Sequence, residues 1–554
     1  MPTSKKTSPT KYIFVVWGVM SSVWKWITAS SIGKILQFHG LNVSAVKIDP
    51  YVNVDAGTMH PTEHGETFVL DDGYETDQDM GNYERFLEKS LTRESYMTTG
   101  SIYYKVIQKE RSLGYGGKCV DVVPWVPLAV IEQIESAAKK EKADVMIVEI
   151  GGTLGEYQNI LFLEAARMMK IKKPKDIAFV MVSYLPVPPR VGEMKTKPTQ
   201  FAVRTMLETG LMPDFIVGRS EIDMDEKRKE KLAFSCMIDP RDIISAPDLD
   251  SVYDVPNKFL EEKFDKRILE KLWIGSKKFK RDDKAIADWK KFVDASKNPK
   301  KKVKIAVVGK YFNTGKFVLS DAYVSVIEAL KYSAYSLGAK AELTWVDSRQ
   351  FEEDPKSVKI LKEYDGVLVP GWFGSTGIEG KIHAIEYVRE NKIPYFGICY
   401  GMQLASVEFA RNVCGIKKAT SYEIDKKAKD QVVTFLPEQK AKLEAGNFGG
   451  SMRLWGYDTI LKKWTLAHSL YGTTKIRERH RHRYEINNDY KDILEKKWFH
   501  VSGTSPDGKL AEIMELDKKL HPFFIGVQYH PEFLAHPLHP HPVFTGFIKA
   551  SLNK

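Results

Sequence analysis

The chain reads as an α/β protein, with two doubly wound domains of mostly parallel sheet joined by a basic linker. Three observations predict this. Short β-rich apolar runs alternate with amphipathic stretches up to about residue 265, a Lys-rich segment then interrupts the pattern, and the alternation restarts at Val303. A chain of 554 residues is also too long for one core and suits two or three domains.

Residues 1–11 are polar and rich in Lys, Thr and Pro, and read as a flexible tail. Residues 12–270 read as the first domain. Its strands are expected over Tyr12–Val16, Val43–Ile48, Val145–Ile150, Ile177–Val182 and Phe215–Val217, with helical stretches separating several of them. Residues 271–302 are heavily basic, contain Asn298-Pro299, and read as a helix and a solvated connection. Residues 303–554 read as the second domain. It opens with a strand over Val303–Val308, a helix over Ala322–Ser336 and a strand over Leu343–Val346, and Gly366–Pro370 adds a strand and a tight turn.

Composition narrows the function classes. Hydrophobic content of 43% and charged content of 28% describe an ordinary soluble protein. No apolar run approaches membrane-spanning length, and no apolar signal core follows the polar start. Cys119, Cys236, Cys399 and Cys414 are scattered, without a zinc or disulfide pattern, which suits a reducing cytoplasm. A net charge of +11 is compatible with anionic substrates such as nucleotides. Basic runs such as Lys300–Lys304 lack interleaved aromatics, which argues against a nucleic-acid partner.

The most informative chemistry lies in Gly397-Ile398-Cys399-Tyr400-Gly401 and, far downstream, Gln528-Tyr529-His530-Pro531-Glu532. An apolar run feeds into Cys399 and a helix-like stretch follows. A strand-to-helix corner exposes a nucleophile at a sheet edge, and the flanking glycines are expected to permit its strained backbone. The helix start favours negative charge on the sulfur, and a histidine can hold it. Cys399, His530 and Glu532 thus read as nucleophile, base and orienting carboxylate. Val369-Pro370-Gly371-Trp372-Phe373-Gly374 ends a strand one βα unit earlier, where backbone N–H groups can meet an oxyanion.

These motifs, in this order, resemble the class I glutamine amidotransferase domain. The resemblance implies hydrolysis of the glutamine side-chain amide. Gly371, Phe373 and the backbone of Tyr400 would serve the oxyanion and the substrate. Gln403, Glu423, Arg481 and Arg483 match the family's glutamine-holding positions. Taken alone, the run from Arg479 to Glu485 would read as a solvated charge cluster.

The earlier half carries longer motifs. Lys47-Ile48-Asp49-Pro50-Tyr51-Val52-Asn53-Val54-Asp55 leads to His64-Gly65-Glu66, Asp71-Asp72-Gly73, Val148-Glu149-Ile150-Gly151-Gly152-Thr153 and Lys195-Thr196-Lys197-Pro198-Thr199-Gln200. Over nearly its whole length the chain resembles the CTP synthase family. What the resemblance implies is ATP-dependent amination of UTP with ammonia released from glutamine. Lys47 would steady the transferring phosphoryl group, and Asp72 and Glu149 would hold Mg²⁺. Ser21, Ser22 and Lys25 would meet phosphates, and Lys195, Lys197, Gln200 and Lys231 would contact nucleotide. The resemblance also implies a homotetramer and activation by GTP.

The first βα turn departs from the family pattern, roughly Thr-Gly-Gly-Val-x-Ser-x-x-Gly-Lys-Gly. Here it reads Val16-Trp17-Gly18-Val19-Met20-Ser21-Ser22-Val23-Trp24-Lys25-Trp26. Phosphate-cradling loops use bare backbone N–H groups, and a non-glycine residue in a strained conformation costs on the order of 1–3 kcal/mol. The indoles of Trp17, Trp24 and Trp26 are expected to fill the triphosphate volume. Trp372 and Trp455 also stand at glycine positions of the pattern. A second reading therefore stays open: a synthetase-impaired homologue or altered sequence, serving as an assembly subunit or as a glutaminase alone.

Overall fold

The computed structural model describes residues 9–18, 20, 25–190, 192–275, 279–309, 320–371, 377–435 and 452–554. It divides into two compact units, one of Met1–Ala56 with Asp79–Lys297, the other of Gly57–Gln78 with Asn298–Lys554. The architecture is α/β in both.

The first unit holds seven parallel strands: β1 (Lys11–Trp17), β2 (Val43–Asp49), β3 (Tyr96–Thr98), β4 (Val145–Ile150), β5 (Ile177–Tyr184), β6 (Phe215–Ser220) and β7 (Ile243–Pro247). Their order is β3-β2-β4-β1-β5-β6-β7. Every residue of β2 and β4 is buried, the pattern of a sheet covered on both faces. Helix α1 (Lys25–Gln37) packs against β2 and β4. The winding departs to both sides of β1, so the crevice for a ligand falls beyond the carboxyl ends of the central strands. Lys47 and Glu149 stand in register there.

The basic stretch after residue 270 is less solvated than its composition suggests. The helix Asp283–Lys297 buries Ile286, Trp289, Phe292 and Val293 and belongs to the first unit. Trp289 packs at tilted and edge-on angles among Phe86, Tyr253 and Phe292, and its Nε1 donates to the Tyr253 carbonyl at 2.8 Å. Charged residues occupy one helix face while the apolar face closes a core, and an overall count of lysines hides this.

The largest sheet of the second unit has nine strands among the described residues: β8 (Lys301–Gly309), β9 (Ala339–Asp347), β10 (Gly366–Val369), β11 (Tyr395–Ile398), β12 (Arg453–Leu461), β13 (Lys475–His482), β14 (Phe499–Thr504), β15 (Ala511–Leu516) and β16 (Phe524–Val527). Their order is β9-β8-β10-β11-β16-β15-β14-β12-β13. The first five run parallel, and the sheet continues through antiparallel pairings to β13.

Residues 57–78 cluster with this second unit although they lie deep in the first half of the sequence. Arg479 Nη1 donates to the Val69 carbonyl at 3.0 Å, and Arg477 grips Asp71 through two bonds of 3.1 and 3.0 Å. Arg481 Nε donates to Glu75 Oε1 at 2.8 Å. Alternate arginines of β13 thus bind one excursion of the chain. Among the described residues no helix is long and apolar enough to cross a membrane.

Candidate active site

Three adjacent parallel strands end side by side at the carboxyl edge of the second sheet. β10 leads to Pro370-Gly371, β11 to Cys399, and β16 to Gln528-Tyr529-His530. Cys399 is the turn between β11 and helix α2 (Tyr400–Asn412), with φ 52° and ψ −99°. The strain thus falls on the cysteine itself, and neither Gly397 nor Gly401 has positive φ. The glycines are there for space. A Cβ on Gly401 would stand 2.2 Å from the Val369 carbonyl oxygen, and one on Gly397 would stand 2.8 Å from the Gly401 carbonyl carbon. Close packing of the elbow, rather than dihedral freedom, requires them. The N–H of Tyr400 heads α2 and has no intrahelical acceptor.

His530 Nδ1 and Glu532 Oε1 are 2.7 Å apart. Burial alone would lower the imidazole pKa, but the Glu532 carboxylate and then the Cys399 sulfur outweigh it and push it up to about 10. His530 therefore carries its proton at neutral pH. Its buried Nε2 has no hydrogen-bond partner of ordinary geometry. A Cβ on Gly371 would meet His530 Cε1 at 2.7 Å and Cys399 Cβ at 3.2 Å, so the glycine leaves the gap between base and nucleophile.

A glutamine pair supports the sulfur from behind. Gln528 Nε2 donates to Cys399 Sγ at 3.6 Å, and Gln403 Nε2 donates to Gln528 Oε1 at 3.1 Å and to the Tyr484 carbonyl at 2.9 Å. Both side chains are buried. The Gln403 amide nitrogen is therefore engaged within the protein. Gln528 was not assigned a role from sequence, although it lies two residues from His530 in the same motif.

A cavity of about 300 Å³ opens onto Cys399, Gly371 and His530. Arg481, Arg483 and Met452 line it, and Met59, His60 and Glu66 of the 57–78 excursion form another part of its wall. The sequence pattern gave no sign of that wall. Arg479, His480, His482 and Glu485 are buried rather than solvated: β13 ends the sheet, and the 57–78 excursion binds its arginines. The Arg481 guanidinium is turned to Glu75, while its carbonyl oxygen lies 3.8 Å from the sulfur. Tyr400 is buried, and burial first and Glu423 second raise its hydroxyl pKa. Glu423 acts likewise on Tyr484, which burial and this carboxylate push up to about 12. Phe373 and Trp372 lie outside the described residues.

In the first unit Lys47 is caged by carboxylates. Its Nζ contacts Glu149 Oε1 at 2.9 Å, Asp49 at 3.6 Å, and Asp79. Tyr83 donates to the second oxygen of Glu149. Burial works against the ammonium, yet the three carboxylates raise its pKa well above the usual lysine value. Burial, partly opposed by Lys47 and reinforced by Glu149, raises that of Asp79. Asp49, Asp79 and Tyr83 were not singled out from sequence as partners of this lysine. Asp72 belongs to the second unit, in a turn where the Tyr74 N–H reaches its carboxylate at 3.4 Å.

The other positions expected from sequence to contact nucleotide are more open. Lys195 pairs with Glu193 at 2.6 Å, Lys197 and Lys231 are exposed, and Gln200 bonds to the Thr196 hydroxyl at 3.3 Å. Ser21, Ser22 and Trp24 lie outside the described residues, and Lys25 opens α1. The expectation that indoles fill the phosphate volume is not met at the other two positions. Trp17 is buried in the core at the end of β1, and the Trp26 ring meets Phe86 edge-on at 5.9 Å. Indole is apolar enough to leave a loop for a core.

Among the described residues no group of three or more His, Cys, Asp or Glu side chains is set to hold a metal ion by itself. The chemistry around Lys47 still fits Mg²⁺ arriving with phosphates, since three hard carboxylates face one ammonium and Mg²⁺ on a nucleotide needs only one or two of them.

Comparison with known proteins agrees with this division of labour. Residues 11–274 match the family model described as CTP synthase N-terminus, and residues 318–550 match glutamine amidotransferase class-I. A CTP synthase of Carboxydothermus hydrogenoformans is 46% identical over 545 residues, covering 98% of this chain and 99% of the relative. One of Geobacillus kaustophilus is 45% identical over 546 residues, covering 98% and 100%. The solved glutaminase domain of Trypanosoma brucei CTPS is 34% identical, covers 46% of this chain and 94% of its own, and has a TM-score of 0.42. The two family models and the full-length relatives define a protein that pairs an amidoligase half with a glutamine amidotransferase half. The chain belongs to the CTP synthase family.

Proposed function

We propose that this protein converts UTP to CTP, using ATP and the amide nitrogen of glutamine. The observation that carries the glutaminase half is the convergence of Gly371, Cys399, His530 and Glu532 at the ends of three neighbouring parallel strands. The Cys399 sulfur attacks the side-chain amide carbon of glutamine. The N–H groups of Gly371 and Tyr400 receive the oxyanion. His530, protonated and steadied by Glu532, gives its proton to the departing ammonia. Water then cleaves the thioester, His530 takes up a proton, and glutamate leaves. Gln403, Glu423, Arg481 and Arg483 surround the bound glutamine, with Gln403 acting through Gln528.

In the amidoligase half, ATP phosphorylates the 4-oxygen of the uracil ring, and ammonia displaces that phosphate to give CTP, ADP and phosphate. Lys47 holds the phosphoryl oxygens, and its carboxylate cage keeps it charged. Mg²⁺, when bound, neutralises phosphate charge, with Glu149 as a carboxylate that would hold it. Lys195, Lys197, Gln200 and Lys231 contact the nucleotides, and GTP activates the glutaminase. We place the protein in the cytoplasm as a homotetramer; free thiols at Cys119, Cys236, Cys399 and Cys414 support a reducing compartment. The test is CTP formation from UTP and ATP, run once with glutamine and once with ammonia. Formation with both supports the reading, formation with ammonia alone breaks the glutaminase half, and formation with neither breaks the synthetase half.

A further inference from the structure

Four of the chain's 11 tryptophans occupy left-handed backbone: Trp273 at φ 56°, Trp455 at 122°, Trp464 at 70° and Trp498 at 72°. Among the described residues only 11 non-glycine residues have positive φ, and tryptophan supplies four of them, where the far commoner lysine supplies three. A bulky side chain is a steric outlier there, whereas glycine is at home. Burial does not offset the strain, since the four side chains are exposed by 76%, 51%, 96% and 57% in that order.

Each backbone states what it requires. The helix Phe264–Lys271 ends with the Trp273 N–H on the Glu270 carbonyl and the Ile274 N–H on the Leu269 carbonyl, at 3.1 and 2.9 Å. That is the double bond of a Schellman ending, and Trp273 fills its glycine position. Trp498 closes the turn after the helix Asn488–Glu495, its N–H on the Glu495 carbonyl at 3.0 Å. Trp464 sits in the turn just before Thr465 caps the next helix. Trp455 lies inside β12 with its ring against Gly73. Trp289 shows the contrast, since it is fully buried, hydrogen-bonded through Nε1 and ringed by aromatics.

We propose that positions 273, 455, 464 and 498 are glycine in the protein as its own host makes it. The tryptophans mark the triplet UGA, which one variant of the genetic code reads as tryptophan and another reads as glycine. The same decoding covers Trp17, Trp24, Trp26 and Trp372. That extension rests on the family assignment, and the four left-handed positions do not. With glycine at 17, 24 and 26, the sequence from residue 16 to residue 26 becomes glycine-rich around Lys25, a composition suited to cradling phosphates at a helix start. The synthetase-impaired reading then loses its basis.

Peptide masses of the protein purified from its native cells test this independently of any activity. Peptides spanning 273, 455, 464 and 498 should each be lighter by the difference between tryptophan and glycine, and the peptide spanning 289 should retain tryptophan. Tryptophan at those four positions overturns the proposal. Tryptophan at 17, 24, 26 and 372 beside glycine at the four would overturn only the family-based extension. In the chain as written, Trp273→Gly and Trp464→Gly should each raise the unfolding midpoint by about 2–4 °C, and Trp289→Gly should lower it. A fall for both Trp273→Gly and Trp464→Gly would contradict the assignment of these sites to glycine.

Discussion

Replacing Gly371 with alanine puts a methyl group where there is room for none. Its carbon would lie 2.7 Å from His530 Cε1 and 3.2 Å from Cys399 Cβ. Carbon atoms in good contact lie about 3.5–4.0 Å apart, so the imidazole must retreat by about 1 Å. Glu532 holds Nδ1, the ring nitrogen bonded to Cε1, at 2.7 Å, so the retreat disturbs the whole triad. A misplacement of about 1 Å costs on the order of 100-fold in rate. Glutamate release from glutamine, followed at saturating glutamine with nucleotides present, should therefore fall about 100-fold in kcat for Gly371→Ala. The unfolding midpoint, measured on the same samples, should stay within about 4 °C of the parent. An unchanged kcat would refute the claim that this gap sets the distance between base and nucleophile. A loss of rate that merely follows a collapse in stability would refute it too.

Other outcomes follow from the same geometry. Gln528→Leu removes the N–H that meets the sulfur at 3.6 Å and should lower kcat for glutamine hydrolysis about 10-fold with little change in KM; a rise in KM alone would contradict a positioning role. Gly401→Ala drives a Cβ to 2.2 Å from the Val369 carbonyl oxygen, and the overpacking should cost about 1–3 kcal/mol or more by denaturant unfolding. Glu532→Gln removes the first of the influences that raise His530, whose pKa is pushed up to about 10. A raised histidine adds stability that is complete below its unfolded value of about 6.5 and fades as pH climbs to the folded value. The gap in unfolding midpoint between parent and Glu532→Gln should therefore be widest near about pH 6 and close by about pH 10; a gap that widens with pH would contradict this.

The sequence made the nucleophile legible because its signal is local. An apolar strand, a glycine-flanked cysteine and a helical stretch lie within one continuous segment, and the downstream His-Pro-Glu carries its own carboxylate. What it hid depends on contacts distant in sequence. The excursion 57–78 joins the second unit through Arg477, Arg479 and Arg481, and no periodicity in residues 57–78 announces that destination. Gln403 meets Gln528 across 125 residues of chain. The glycines of the elbow were read as sources of dihedral freedom, but the positive φ belongs to Cys399 and the glycines make way for Val369 and for each other. The basic stretch after residue 270 hid an apolar helix face, because lysines on one side of a helix do not prevent Trp289 from closing a core on the other.

The account turns on a nitrogen atom freed at Cys399 becoming the amino group of CTP. Incubation of the protein with UTP, ATP and glutamine carrying heavy nitrogen in its side-chain amide, followed by mass analysis of the CTP, follows that atom directly. Heavy CTP from the parent, and none from Cys399→Ala unless ammonia is supplied, is the predicted result. Heavy CTP from Cys399→Ala in the absence of added ammonia would contradict the account.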